Sequence, residues 1–258
     1  MAALIVSNLS KSFVAPSGER IVACRAISFR VEPGELFVLV GPSGSGKTTT
    51  LRLIAGLEPA ETGTIEFEGV RLDQIPARDR EIAMVFQSGA LFPHLSVAQN
   101  LSFGPRLRGV SKTETVRRVA AVMDLLQLTA MAARQPHTLS GGEAQKVALG
   151  RALLRQPKIF LFDEPLSDLD APARRQVRDE IKKLRSAVAV PMIYVTHDQF
   201  EAMMLADRLA VLRAGEIQQI GRPDEILASP SSAFVRDFFE PARELIEQFR
   251  DAREGWKA

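Results

Sequence analysis

The residues best suited to chemistry stand in two places. Gly41-Pro42-Ser43-Gly44-Ser45-Gly46-Lys47-Thr48 fits G-x-x-x-x-G-K-[ST] at every fixed position. It follows Leu36-Phe37-Val38-Leu39-Val40, apolar throughout, and precedes a stretch where Leu51, Ile54 and Ala55 recur at helical spacing, with Gly56 placed to end it. Strand, glycine loop and helix start in that order make a phosphate cradle. Glycines let backbone N–H groups approach phosphate oxygens, the helix N-terminus adds positive potential, Lys47 reaches the β/γ phosphates and Thr48 ligates Mg²⁺. Thr49, next in the same turn, is a further candidate contact. The alternative, a glycine-rich turn that merely joins strand to helix, does not require the lysine and threonine that follow.

The second place is Ile159-Phe160-Leu161-Phe162-Asp163-Glu164, an apolar run ending in two carboxylates. Successive side chains along a strand point to opposite sides, so the two acids can take different jobs. Asp163 suits the Mg²⁺ shell, and Glu164 suits orienting or deprotonating an attacking water. Alone, such a pair reads as a solvated strand end; beside a phosphate loop it reads as the other half of a nucleotide site. No D-x-x-G follows the phosphate loop and no N-K-x-D occurs, so guanine specificity has no visible basis.

The elements that must hold these groups follow from composition and periodicity. With 258 residues, 46% hydrophobic and 25% charged, the chain has the profile of a soluble globular protein with one large core or two modest ones. Its 33 basic and 31 acidic residues leave a formal charge of +2, so no global field draws it to nucleic acid or an anionic membrane, and an anionic ligand must be held locally. The single cysteine, Cys24, excludes an internal disulfide and, with three histidines, a zinc cluster; a reducing cytosol is the expected compartment. The longest apolar run, residues 187–195, contains Pro191 and falls short of the ~20 residues a spanning helix needs. The N-terminus lacks the basic and apolar regions of a secretory signal, so no export is expected.

Short apolar runs at Leu4-Ile5-Val6, residues 27–31, 36–40 and 65–67 predict strands in the first third. Residues 105–155 read as helical, with Val116, Val119, Ala120 and Met123 on one stripe and Val147, Ala148, Leu149, Ala152 and Leu153 on another. Strands at 159–162, 192–196 and 209–212 then alternate with helices around 173–187 and 199–206, which argues for a parallel α/β sheet. The runs 36–40 and 159–162, apolar on both faces, belong in its middle.

Leu139-Ser140-Gly141-Gly142-Glu143 precedes one of the helices. Ser140 and Glu143 form S-x-x-E, a capping box, and the motif could be only that. Two glycines in a first turn cost helix stability, about 1 kcal/mol each in a helix interior, and make sense where a phosphate must come close. Here the chain resembles the ATP-binding cassette (ABC) ATPases, whose signature is L-S-G-G-Q before such a helix. Gln87 in Met84-Val85-Phe86-Gln87 is similar to the family's Q-loop, Asp163-Glu164-Pro165-Leu166-Ser167-Asp168-Leu169-Asp170 to its Walker B and D-loop, and Tyr194-Val195-Thr196-His197-Asp198 to its switch histidine.

The resemblance implies a P-loop NTPase fold with an ABC-type nucleotide-binding domain: a RecA-like core, an antiparallel β subdomain and a helical signature subdomain. That domain would fill residues 1–230, the helical part about 88–156. Residues 231–258 would be a short tail of one or two amphipathic helices bearing Phe234, Phe238, Leu245, Ile246 and Phe249, too short for the regulatory β-domain some relatives carry. ATP and Mg²⁺ are the implied ligands. Gln87 would join Thr48 and Asp163 around Mg²⁺, His197 would contact the γ-phosphate and Phe13 would stack on adenine. Ser140, Gly141, Gly142 and Glu143 would bind the nucleotide of a second subunit in a head-to-tail homodimer. His94 and His137 receive no role.

Glu143 and Asp168 depart from the commonest family pattern, each adding a carboxylate. Residues 80–101, 194–202 and 220–223 are similar to the branch that imports sugars, polyamines, osmoprotectants and inorganic anions. That implies integral membrane permease subunits, a separate substrate-binding protein and a peripheral place on the inner face of the membrane, with no nucleic-acid partner. A groove lined by Phe86, Leu91, Phe92 and Leu95 would receive the permease. A soluble ABC ATPase acting on nucleic acid, or a lipid-exporter motor, are the alternatives.

Overall fold

The computed structural model describes residues 2–255, with side chains through Leu245. Two sheets carry the fold. The strands β1 (Leu4–Val14), β2 (Arg20–Val31), β4 (Thr62–Phe67) and β5 (Val70–Arg71) form an antiparallel sheet in the order β2-β1-β4-β5. The strands β3 (Leu36–Val40), β6 (Ile82–Val85), β7 (Ile159–Asp163), β8 (Met192–Thr196), β9 (Arg208–Arg213) and β10 (Glu216–Gly221) form a second sheet, ordered β10-β9-β3-β8-β7-β6. Every pairing in the second sheet is parallel except β10 on β9.

The doubly apolar runs do lie inside. All five residues of β3, β7 and β8 are buried. Alternation divides them between two cores. Phe37, Leu39, Leu161, Ile193 and Val195 face helix α1 (Lys47–Ala55) and the antiparallel sheet, whereas Leu36, Val38, Phe160, Phe162 and Tyr194 face the other helices. Helix α1 ends at Gly56 in the left-handed region (φ 76°), as expected, and the buried Arg80 guanidinium donates to its last carbonyls, Leu53 O at 2.9 Å and Ile54 O at 2.8 Å.

The helical stretch resolves into α2 (Val97–Leu107), α3 (Lys112–Leu125) and α4 (Gly141–Leu154). On α3 the expected stripe holds at Val119 and Met123 and fails at Val116 and Ala120. Val116 is 62% exposed and Ala120 is exposed, while Thr115, Val119 and Met123 face inward. Thr115 tolerates burial because its hydroxyl donates back to Val110 O at 3.4 Å. Helix α5 (Ala171–Ala187) starts at Asp170, whose carboxylate caps Ala173 N–H at 2.8 Å, and α6 (Gln199–Leu205) starts at Asp198.

After α7 (Pro223–Ala228), the tail is one helix, α8 (Ala233–Gly255), rather than two, and it docks on the cassette. Val235, Phe239 and Ala242 are buried in the helix-side core, with Phe234 and Phe238 packed beside them. Ile246 and Phe249 lie outside the described side chains. Among the described residues no helix is long and apolar enough to cross a membrane.

Candidate active site

Strand order places the chemistry. β3, β8, β7 and β6 are neighbours, so their carboxyl ends form one edge, where a parallel sheet presents its ligand-binding loops. Val40 pairs with Thr196 and Asp163 with Val195, and Glu164 N–H extends the ladder to Val195 O at 3.0 Å. The phosphate loop, the Asp163-Glu164 pair, His197 and Gln87 thus leave four consecutive strands side by side.

In the loop, Lys47 is buried and its ammonium donates to Gly41 O and Pro42 O, each at 2.8 Å, and to Ser45 Oγ at 3.4 Å. Burial pushes the ammonium below its ordinary pKa, while Glu164 and Asp163 pull it back up. Among the described residues no side chain caps α1, no acid stands in its first turn, and its first backbone bond runs from Thr50 N–H to Gly46 O at 2.9 Å. The N–H groups of Lys47, Thr48 and Thr49 are therefore available to an anion. The glycines divide by cause. A Cβ on Gly46 (φ 98°) would run into Ala23 O, and one on Gly41 into Leu212 O, so backbone packing demands both. Gly44 (φ 77°) has open space around it and answers only to its dihedral. Pro42, Ser43 and Gly44 line the exposed rim.

Thr48 Oγ1 donates to Asp163 Oδ1 at 2.8 Å. Burial raises the Asp163 pKa, against the Thr48 hydrogen bond that lowers it. These two hard oxygen donors fit Mg²⁺, which takes one or two protein ligands plus phosphates and water. No cluster of three or more His, Cys, Asp or Glu among the described residues offers a cation site without such help.

His197 Nδ1 lies 2.7 Å from Glu164 Oε2. Glu164 holds φ 44°, a left-handed conformation that costs a non-glycine residue roughly 1–2 kcal/mol and recurs at functional sites. Behind the pair is a cavity of about 130 Å³ reaching Arg174, Thr196 and Glu201. Residues to which the motif reading gave no role support it. The buried Glu201 carboxylate accepts from Tyr194 Oη at 3.0 Å and Thr196 Oγ1 at 2.8 Å, and Ser167 Oγ donates to Glu164 O at 3.0 Å. The one tyrosine of the chain, buried mid-strand, was the available signal, because its hydroxyl needs a partner.

Other candidates make no hydrogen bond to the phosphate loop among the described residues. Gln87 Nε2 donates to Asp168 Oδ1 at 3.0 Å, and no hydrogen bond among the described residues links it to Thr48 or Asp163. The capping box is present as read: Ser140 N–H donates to Glu143 Oε2 at 2.7 Å and Glu143 N–H to Ser140 Oγ at 3.3 Å. Gly141 packs on Leu169 and Gly142 on Ala173, and no hydrogen bond of this motif among the described residues reaches the phosphate loop. Phe13 is 39% exposed, so it is not a core residue, and Lys11 Nζ sits 5.2 Å from its ring centroid. A groove of about 420 Å³ opens where β6 meets α2 and α4, lined by Phe86, Phe92, Phe103 and Leu107 and rimmed by Arg78, Arg108, Arg151 and Arg155. Leu91 and Leu95, expected in it, are not among its lining residues, and Leu91 packs against the helix-side core; the carbonyl of Ala90 and the Phe92 ring hold Arg151 at its edge.

A family model described as ABC transporter matches residues 24–167, more than half of the chain. The chain belongs to the ABC transporter family. Among its relatives, the sn-glycerol-3-phosphate import ATP-binding protein UgpC of Chromobacterium violaceum is 48% identical, over 97% of this chain and 67% of its own length. The maltose/maltodextrin import ATP-binding protein MalK of Yersinia pestis is 49% identical, over 92% of this chain and 63% of its own. The cassette thus spans about two thirds of these relatives. The dimeric structure of a post-hydrolysis ATP-binding cassette bound to ADP and Pi superposes with a TM-score of 0.75 at 28% identity, covering 85% of this chain and 98% of that one.

Proposed function

We propose that this cassette is the ATP-binding and ATP-hydrolysing subunit of a bacterial solute importer. The observation that carries the reading is the Glu164–His197 contact, standing beside the phosphate loop and the Thr48–Asp163 pair at one sheet edge. Lys47 and the uncapped N–H groups of α1 bind the phosphates of ATP, and Phe13 offers its exposed ring to adenine. Thr48 and Asp163, with the amide oxygen of Gln87, would hold Mg²⁺, which would supply neutralisation of the phosphate charge when bound. Glu164 orients the attacking water and accepts its proton. A carboxylate can only accept, so His197 Nδ1 carries the hydrogen of that contact, and a bond from Nε2 to a γ-phosphate oxygen needs a hydrogen on Nε2 as well.

Ser140, Gly141, Gly142 and Glu143 complete the site of a second copy. Their separation from the phosphate loop within one chain supports that reading, as do the dimeric cassettes of the same fold. The apolar, arginine-rimmed groove suits a short helix of an integral membrane permease, with carboxylates facing the rim, and the cassette would sit peripherally on the inner face of the membrane. The import proteins among the relatives support a separate substrate-binding protein upstream.

Glu164→Gln keeps an oxygen for His197 but loses the base. Turnover should fall about 10²–10⁴-fold, the usual contribution of a general base, while ATP binding persists and a closed dimer accumulates in gel filtration. Hydrolysis within a few-fold of the parent would remove Glu164 from its role.

A further inference from the structure

The Gln87–Asp168 hydrogen bond joins residues 81 positions apart, from the end of an edge strand to the loop between β7 and α5. The two partners differ in how firmly the chain holds them. Asp168 sits in a braced loop: Ser167 N–H and Oγ both donate to Glu164 O, Leu169 N–H donates to Leu166 O at 3.2 Å, Arg174 donates to Leu169 O at 3.2 Å, and Asp170 caps α5. Gln87 is exposed, and its neighbour Phe86 is held by the buried Gln145 amide, which donates to Phe86 O at 3.3 Å. The backbone beside Gln87 is anchored, and its side chain is oriented by the single bond to Asp168.

A glutamine amide has two ends of nearly equal size and opposite hydrogen-bonding sense. A carboxylate accepts and cannot donate, so Asp168 binds only the NH₂ end and leaves the amide oxygen facing away. An asparagine at this position would bind either end, and an alanine neither. We propose that Asp168 is a positioning residue which fixes the Gln87 amide with its oxygen presented to the metal–nucleotide complex. The inference rests on the nucleotide-binding reading above. It gives a purpose to a carboxylate whose charge alone would repel an anionic nucleotide.

The two effects have opposite signs, which makes the test decisive. Full-length chain is titrated with Mn²⁺ in the presence of a non-hydrolysable ATP analogue, and free Mn²⁺ is read by electron paramagnetic resonance. Asp168→Ala should weaken Mn²⁺ binding about three- to tenfold, the range of one hydrogen bond. Asp168→Asn should weaken it about twofold, because half of its amide pairings present the wrong end. In a Gln87→Ala background neither substitution should weaken it further. Tighter binding in Asp168→Ala, unchanged binding, or equal losses with and without Gln87 would each overturn the proposal. A Lys47→Ala control separates the underlying reading: if the parent binds the Mn²⁺–nucleotide complex no better than that variant, the nucleotide site itself is wrong, whatever Asp168 does. Both Asp168 variants should melt with the parent, since the residue is exposed and caps no helix.

Discussion

Gly142 sits in the first turn of α4, and a Cβ there would lie 2.8 Å from Ala173 Cβ and 3.6 Å from Ala173 Cα at the start of α5. Both atoms belong to helix starts rather than to flexible side-chain ends, so Gly142→Ala must push the helices apart. Overpacking of this kind costs about 1–3 kcal/mol, and the helix propensity of alanine returns at most about 1 kcal/mol. A net loss of about 1–2 kcal/mol should lower the melting temperature by roughly 2–8 °C for a domain of this size. The compensating change is Ala173→Gly, which removes the obstructing methyl and keeps the N–H that Asp170 caps. If the clash is the cause, the double variant melts no lower than Ala173→Gly alone, a coupling of about 1–2 kcal/mol between the sites. Losses that simply add would refute the steric argument. Turnover, measured alongside, answers a second question. If Gly142 is glycine for packing alone, the double variant recovers ATP hydrolysis with its stability; if a phosphate held by a second copy must approach it, stability returns and turnover does not.

The buried Glu201 carboxyl is pushed up from its ordinary pKa chiefly by desolvation, with Asp198 adding to the rise and the Thr196 and Tyr194 hydroxyls and Arg174 opposing it. The folded state then holds this proton more tightly than the unfolded one, so stability is lost as pH rises from the unfolded value of about 4.5 through the folded one. Glu201→Gln, which can still accept both hydroxyls, should match the parent in melting temperature near pH 4 and gain on it toward pH 7; parallel curves across that range would exclude the titration. Cys24, 1% exposed and hydrogen-bonded near Gly46 and Thr50, is pushed up in pKa by burial. Ellman's reagent should find no thiol in the native chain and one after denaturation, and fast native labelling would show that the strand against the phosphate loop opens.

What could be read from the sequence was what local pattern encodes. The apolar runs at β3 and β7 announce strands covered on both faces, and the chemistry written next to them, Gly41 to Thr48 and Asp163-Glu164, needs only the strand end to place it. The parallel order of β3, β8 and β7 then brings His197 to Glu164 without any further sequence signal. Reading failed wherever a distant partner decided a residue's fate. Thr115 is buried in place of Val116 because a backbone carbonyl five residues earlier satisfies its hydroxyl, a bond that hydrophobic periodicity does not see. Gly41 and Gly46 are glycine because Leu212 and Ala23 crowd them from β9 and β2, although the loop motif invites an explanation through phosphate alone. Gln87 and Asp168 show the same limit at the site. Each was visible as a motif residue, one as an expected ligand and the other as a departure, yet only the fold makes the departure the partner of Gln87. A carboxylate there is costly as a charge beside a polyanion and useful as an acceptor for an amide, and the sign of its effect on metal affinity decides which property the protein exploits.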